Sequence, residues 1–473
     1  MSNDGATQAV ARFIRETTFA SIPEPVRESA RRTIADTVAV FLAGSGGDVV
    51  PHLREYLKRN PSPGAAPVIG WGTSVTPEVA AMVNGTLGHA LDYDEVTTLY
   101  PAHPSVPILS ALLASQEPAS LDGESLLAAY VTGFEVGGQI ARGIGLAHYH
   151  RGWHATGTLA LFSALAAVAK ARDLSEDEIR TAFGIAASFS SGMQRNFGTM
   201  TKPLHSGWAA RSALVAVELA SVGWTANQQI LEIPRGYLAL YGDERSDPGK
   251  IAPALGVPWV FVEPGVSLKK YPCCWALHRG IDAVLQLRAE LRPQNITSLS
   301  CHMPPGAFSQ VPYMRPVTGL EGKFSATYAC AAPLLDGQVT LETFTDAAVT
   351  RPEIAALYDR IEVVEDPACN ESDKSRGGAG DAPGEIGYVE VTATTTAGTR
   401  RTVRVYAPTG SPQHPMTWAE IEAKFADCAR SVLMDEAQAA ALFAALRGID
   451  KCGDVRDLVA GIALPLDAIP RQD

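Results

Sequence analysis

The runs GTLALFSALAAVAKARDL, EDEIRTAFGIAASFSSG and SGWAARSALVAVELASVGW constrain this chain more than any other feature. Their apolar positions recur every three or four residues, and most of those positions hold Ala, Gly or Ser. Helices made of such residues approach one another closely, which suits a compact bundle better than a single amphipathic layer. PEPVRESARRTIADTVAVFLA, over residues 23–43, adds a longer helix with Pro at its start and Gly44 after its end. In LDGESLLAAYVTGFEVGGQIARG, Asp122 stands where a helix cap belongs. Alternating β-branched strands are missing from this half, which argues against a Rossmann fold.

The pattern changes after about residue 260. ITSLSCHMP, RIEVVEDP, YVEVTATTTAG and TRRTVRVYAP read as strands, with AGTR as the turn of a hairpin. NESDKSRGGAGDAPGEIG is polar and Gly-rich and reads as a loop. Helical periodicity returns from Met416. The fold class expected is mainly α: a large all-helical domain formed by both chain ends (residues 1–262 and 414–473) and a smaller α+β domain (residues 263–413).

Composition excludes several functions. Lys plus Arg number 39 against 51 for Asp plus Glu, a net charge of −12 that disfavours nucleic acid and anionic membranes. No apolar run reaches the ~20 residues of a membrane span, and MSNDGATQAVARF does not look like a signal peptide. The 7 cysteines all lie beyond residue 270 and do not form a secreted disulfide pattern. A cytoplasmic globular protein is expected.

Four segments carry groups suited to proton transfer or anion binding. GHALDYDEV followed by HPSVP places His89, Asp92 and His103 at a helix end and in a proline-stiffened loop. A histidine held beside a carboxylate suits proton transfer at neutral pH; a helix-capping Asp92 and a half-buried His103 are the plainer alternative. HYHRGWHATGT holds His148, His150 and His154, but Gly152 and the missing Glu of HExxH speak against zinc. His154 precedes a helix start and fits the edge of an anion pocket. In NFGTMTKPLHSGWAA, Lys202 before Pro203 is expected to be extended, projecting toward a carboxylate or toward solvent. In LKKYPCCWALHRGIDAV, Cys273 and Cys274 read as packing residues, and His278 opens a helix near a possible anionic ligand. No metal site, P-loop or dinucleotide fingerprint is found.

Taken in order, GHALDYDEV with HPSVPILSALLA, GWHATGT, NFGTMTKPLHSGWAA, KKYPCC and GKFSATYA resemble the MmgE/PrpD family. That family includes 2-methylcitrate dehydratase, cis-aconitate decarboxylase and iminodisuccinate epimerase. The resemblance implies a helical domain with an α+β lid, a homodimer, an active site between the domains and no cofactor. Carried over by position, it implies pocket residues Asp92, His103, His154, Lys202, His278 and Tyr328, the last from GKFSATYA. Asp94-Glu95 stands where the family usually has two aspartates, and Val96 where a threonine often follows. The KKYPCCWALHRGID and NFGTMTKPLH wording is closer to the epimerase-like branch.

The expected function is a cofactor-independent lyase acting on a small di- or tricarboxylate by dehydration or decarboxylation. His103, oriented by Asp92, is the expected base or acid, with Tyr328 moving a proton on the opposite side. Lys202, His154 and His278, with Arg195 near Lys202 in sequence, supply positive charge. An epimerase of a dicarboxylate and an inactive carboxylate-binding homologue are the alternatives.

Overall fold

The computed structural model describes residues 5–97, 99–115, 121–370 and 387–462. The Gly-rich loop read from the sequence falls largely outside these residues. The chain divides into two compact units. One is built from Met1–Arg195, Met200–Val266 and Thr417–Asp473, the other from Asn196–Thr199 and Ser267–Met416.

The first unit is helical. Helix Glu24–Gly44 starts after Pro23 and buries nearly every residue from Thr33 onward. Helix Gly123–Ile144 opens on Asp122, whose side chain accepts the Ser125 N–H at 2.8 Å. Its neighbour Ala160–Ala171 is buried along almost its whole length. Small side chains allow this, because helices without bulky ridges can be covered on all sides. The C-terminal helices Trp418–Ser431 and Glu436–Arg447 return to this unit. Thr417 and Glu420 form a capping box at the start of the first. Lys424, buried on that helix, pairs with buried Asp36 of helix Glu24–Gly44 at 2.7 Å.

The second unit holds a four-stranded mixed sheet. Strand Ile296–Met303 pairs in parallel with Ile361–Glu365 on one side and antiparallel with Val389–Thr395 on the other; Arg400–Val405 closes the edge. The last two strands form the expected hairpin, with Gly398 at φ +74° in its turn. Ile296, Leu299, Cys301 and Met303 face a core shared with helices His278–Glu290 and Ala326–Asp336. On the outer face Ser300 Oγ lies 2.9 Å from His302 Nε2, and His302 Nδ1 lies 2.8 Å from Asp366. Polar neighbours two residues apart are ordinary on a solvent-facing strand. All seven cysteines are free. No helix among the described residues is long and apolar enough to cross a membrane.

Candidate active site

Helices Pro77–His89 and Thr201–Ser221 meet backbone to backbone. A Cβ on Gly85 would fall 2.7 Å from Gly207 Cα, and one on Gly207 would fall 2.1 Å from the Met82 carbonyl oxygen. Only glycine permits that approach. It brings the last turn of the first helix, with His89, beside the first turn of the second, with Lys202 and His205.

Lys202 is helical rather than extended. Pro203 lies in the first turn, where a missing N–H breaks no bond and proline is tolerated. The Lys202 ammonium is buried and donates to Asp92 Oδ1 at 2.5 Å. Asp92 adopts φ +52° in the turn after the His89 helix, a left-handed conformation that Asp accepts more readily than most residues. The sequence reading set Asp92 beside His103; Asp92 is ion-paired with Lys202, and it also offers a carboxylate oxygen within 4.8 Å of a His103 ring nitrogen.

His103 is also held by groups of the following turn. Its Nδ1 donates to the Glu95 carbonyl oxygen at 2.6 Å and lies 3.6 Å from Asp94 Oδ2. This places the proton on Nδ1 and leaves Nε2 as the basic nitrogen. The His103 N–H donates to Thr156 Oγ1 at 3.1 Å, tying the proline loop to the segment that carries His154.

His89, Asp94 and Glu95, given no catalytic role by the sequence reading, complete the cluster. His89 Nδ1 bonds to Asp94 Oδ2 at 2.8 Å, and its ring lies 4.6 Å from that of His103 and 5.7 Å from that of His154. His89 Nε2 is buried without a hydrogen-bond partner among the described residues. Glu95 Oε1 accepts the Ser105 N–H at 2.6 Å at the start of helix Ser105–Ala114. Burial and the adjacent Asp94 charge push the Glu95 carboxyl well above its usual range.

His154 is buried, and its Nδ1 lies 2.9 Å from His205 Nδ1. Burial drives the His154 imidazole well below its ordinary pKa, and neighbouring His205, His89 and Lys202 push the same way. His205 is lowered to about 4, chiefly by burial, and His89 is lowered by burial against the pull of Asp94. These three rings are therefore neutral near pH 7. His205 was also missed in the sequence, although its spacing of three from Lys202 puts both on one helix face.

Of the remaining expected residues, Arg195 belongs to the first unit and His278 and Tyr328 to the second. Arg195 is exposed and makes no ion pair among the described residues. His278 opens its helix, buried beside Trp275 at 4.7 Å and Tyr271 at 5.2 Å between ring centres. Tyr328 is buried, its hydroxyl donates to the Thr343 carbonyl, and burial raises its pKa.

His89, Asp92, Asp94 and His103 each offer a ligand atom, all within 4.8 Å of one another. A divalent ion there would compete with the Lys202 ammonium already on Asp92. The set therefore fits a built-in cation better than a bound one.

Residues 8–248 match the MmgE/PrpD N-terminal domain and residues 271–447 the MmgE/PrpD C-terminal domain. The chain belongs to the MmgE/PrpD family. As a family member it is 28% identical over 436 residues to cis-aconitate decarboxylase of Homo sapiens, covering 89% of this chain and 86% of the relative. Cis-aconitate decarboxylase of Aspergillus terreus is 28% identical over 388 residues, covering 76% and 78%. A cis-aconitate decarboxylase-like protein of Aspergillus oryzae is 26% identical over 482 residues, covering 97% of each chain. The segments with which this MmgE/PrpD chain builds its cluster, residues 89–103, 154–156 and 202–205, all fall within the N-terminal match.

Proposed function

We propose that this chain is a lyase that decarboxylates a small tricarboxylate of the cis-aconitate type without a metal or organic cofactor. The observation that carries the reading is the buried Lys202–Asp92 pair beside imidazoles that burial keeps neutral. The names of the curated relatives support the substrate class. Loss of CO2 breaks a C–C bond and leaves its electron pair on the substrate, delocalised toward a neighbouring carboxylate. A proton must then reach carbon. Lys202 supplies the charge that stabilises the developing anion, in a site where water does not screen it. His103, with its proton fixed on Nδ1, presents Nε2 as an acceptor, so the proton for carbon comes from a neighbouring ring that carries one. Asp92 holds the ammonium in place.

The reading extends to a cytoplasmic homodimer with no nucleic-acid or membrane partner. Met200, Leu204 and Trp208, exposed at intervals of four along one helix, give a second copy an apolar face to cover.

Incubation with cis-aconitate in deuterated solvent tests the reaction. We expect release of CO2 and one solvent deuteron in the product. Dehydration products from a hydroxy-tricarboxylate, or exchange of an α-hydrogen in a chiral dicarboxylate without CO2, would move the reading to a dehydratase or an epimerase. Binding without turnover across the panel would leave a carboxylate-binding homologue.

A further inference from the structure

We propose that His205 is the proton port of the site, passing a proton from solvent to His154; this rests on the decarboxylase reading above. His154 is 1% exposed, whereas His205 is only partly buried. Their Nδ1 atoms are 2.9 Å apart, so one ring donates and the other accepts, and the tautomer of each fixes that of the other. From His154 the row of rings continues inward to His89 at 5.7 Å and on to His103 at 4.6 Å.

The pair is built into the backbone. The His154 N–H donates to the Gly192 carbonyl oxygen at 3.1 Å. Gly192 has φ +135°, and a Cβ there would lie 3.4 Å from His205 Nδ1. A Cβ on Gly157, in the turn after His154, would fall 3.3 Å from His205 Cβ and 2.2 Å from the Ser191 carbonyl oxygen. Two glycines thus seat the His205 ring against the His154 segment, and helix Thr201–Ser221 holds it one turn from Lys202.

Decarboxylation consumes one proton each turnover, and a buried site needs a route for it. In the relay, His154 gives its Nε2 proton to the substrate carbon as the C–H bond forms. The Nδ1 proton of His205 passes to His154 Nδ1, and His205 Nε2 takes a proton from water. Both rings begin and end neutral with exchanged tautomers, and exchange with solvent resets them. The depressed pKa values of the two rings agree with a neutral relay.

The test compares wild type, His205→Gln and His205→Ala with cis-aconitate, and records 15N NMR of histidine-labelled protein. We expect kcat to fall on the order of 10²-fold in both variants, as when a proton-transfer group is lost, with KM little changed. Imidazole added to His205→Ala should restore turnover in proportion to its concentration, which a merely structural role would not allow. Wild-type kcat in His205→Gln, or no imidazole rescue, overturns the relay. If cis-aconitate is not a substrate, the decarboxylase reading fails, and the NMR still decides the hydrogen bond. Wild type should show one protonated and one bare Nδ1 coupled across it, and His205→Gln should change the His154 tautomer. Two uncoupled rings, or an unchanged His154, would overturn the proposal, and the wild-type spectrum requires no variant to fold.

Discussion

The Lys202 ammonium lies 2.5 Å from Asp92 Oδ1, with both side chains buried and Asp92 in a left-handed turn at φ +52°. Desolvating two charges costs several kcal/mol, and the left-handed backbone adds on the order of 1 kcal/mol. A fold retains such a pair where the charge itself has work to do. The pair joins the ends of two helices whose backbones touch at Gly85 and Gly207, so its position is set by packing that neither residue controls.

Removing one partner should cost more than removing both. Lys202→Ala leaves an uncompensated buried carboxylate and should destabilise the protein by about 3–5 kcal/mol, with turnover down roughly 10²–10³-fold. The double variant Lys202→Met with Asp92→Asn should recover most of the stability and none of the turnover. Urea unfolding and initial rates measure the two effects. Equal stability of the single and double variants would show that the ion pair carries no coupling.

His154 and Lys202 should fail differently. His154→Gln removes the proton donor of the relay and should abolish uptake of solvent deuterium into product, while Lys202→Ala should leave slow incorporation detectable by mass spectrometry. Asp92→Asn keeps the shape of the pair but loses its charge, and its rate should lie between wild type and Lys202→Ala. Full activity in Asp92→Asn would return Asp92 to a turn-forming role.

Acid should weaken the fold through its buried imidazoles. His148 is sandwiched between the Tyr241 carbonyl at 3.0 Å and Thr158 Oγ1 at 2.7 Å, and burial lowers its pKa to about 4. The unfolded chain binds this proton near pH 6.5, so below that value it holds more protons than the folded chain. Stability is thus complete above pH 6.5 and falls as pH drops toward 4, by about 3 kcal/mol for this group. His148→Gln should flatten the dependence in that window, measured as urea midpoints against pH. An unchanged slope would exclude His148 as a contributor.

Activity should survive exhaustive chelation, because Lys202 supplies the positive charge at the cluster of His89, Asp92, Asp94 and His103. Loss with EDTA and recovery with one divalent ion would assign that cluster to a metal.

A chain ending before Thr417 should not fold its first unit. It would lose Lys424, which pairs with Asp36 at 2.7 Å and donates to the Tyr93 carbonyl at 2.9 Å, one residue from Asp92. Circular dichroism and proteolysis would report this, and a stable, protease-resistant fragment would contradict it.

The small-residue runs by themselves determined a helical bundle, and the β-branched runs after residue 260 a separate sheet, because hydrophobic period and side-chain size are local properties. The same local reading singled out Asp92, His103, His154 and Lys202, whose flanking Pro and Gly residues mark rigid backbone. It did not pair Asp92 with Lys202. Asp92 and Lys202 are 110 residues apart, and their contact exists only because Gly85 and Gly207 let two helices touch. Pro203 suggested an extended Lys202, yet the first helical turn tolerates proline, and which side of that boundary the lysine occupies is settled by the packed helix behind it. His89, Asp94, Glu95 and His205 stand inside GHALDYDEV and NFGTMTKPLHSGWAA, but nothing local gives them a role. Their chemistry comes from burial and from neighbours brought together by tertiary structure, since a ring's pKa and tautomer depend on what surrounds it in space.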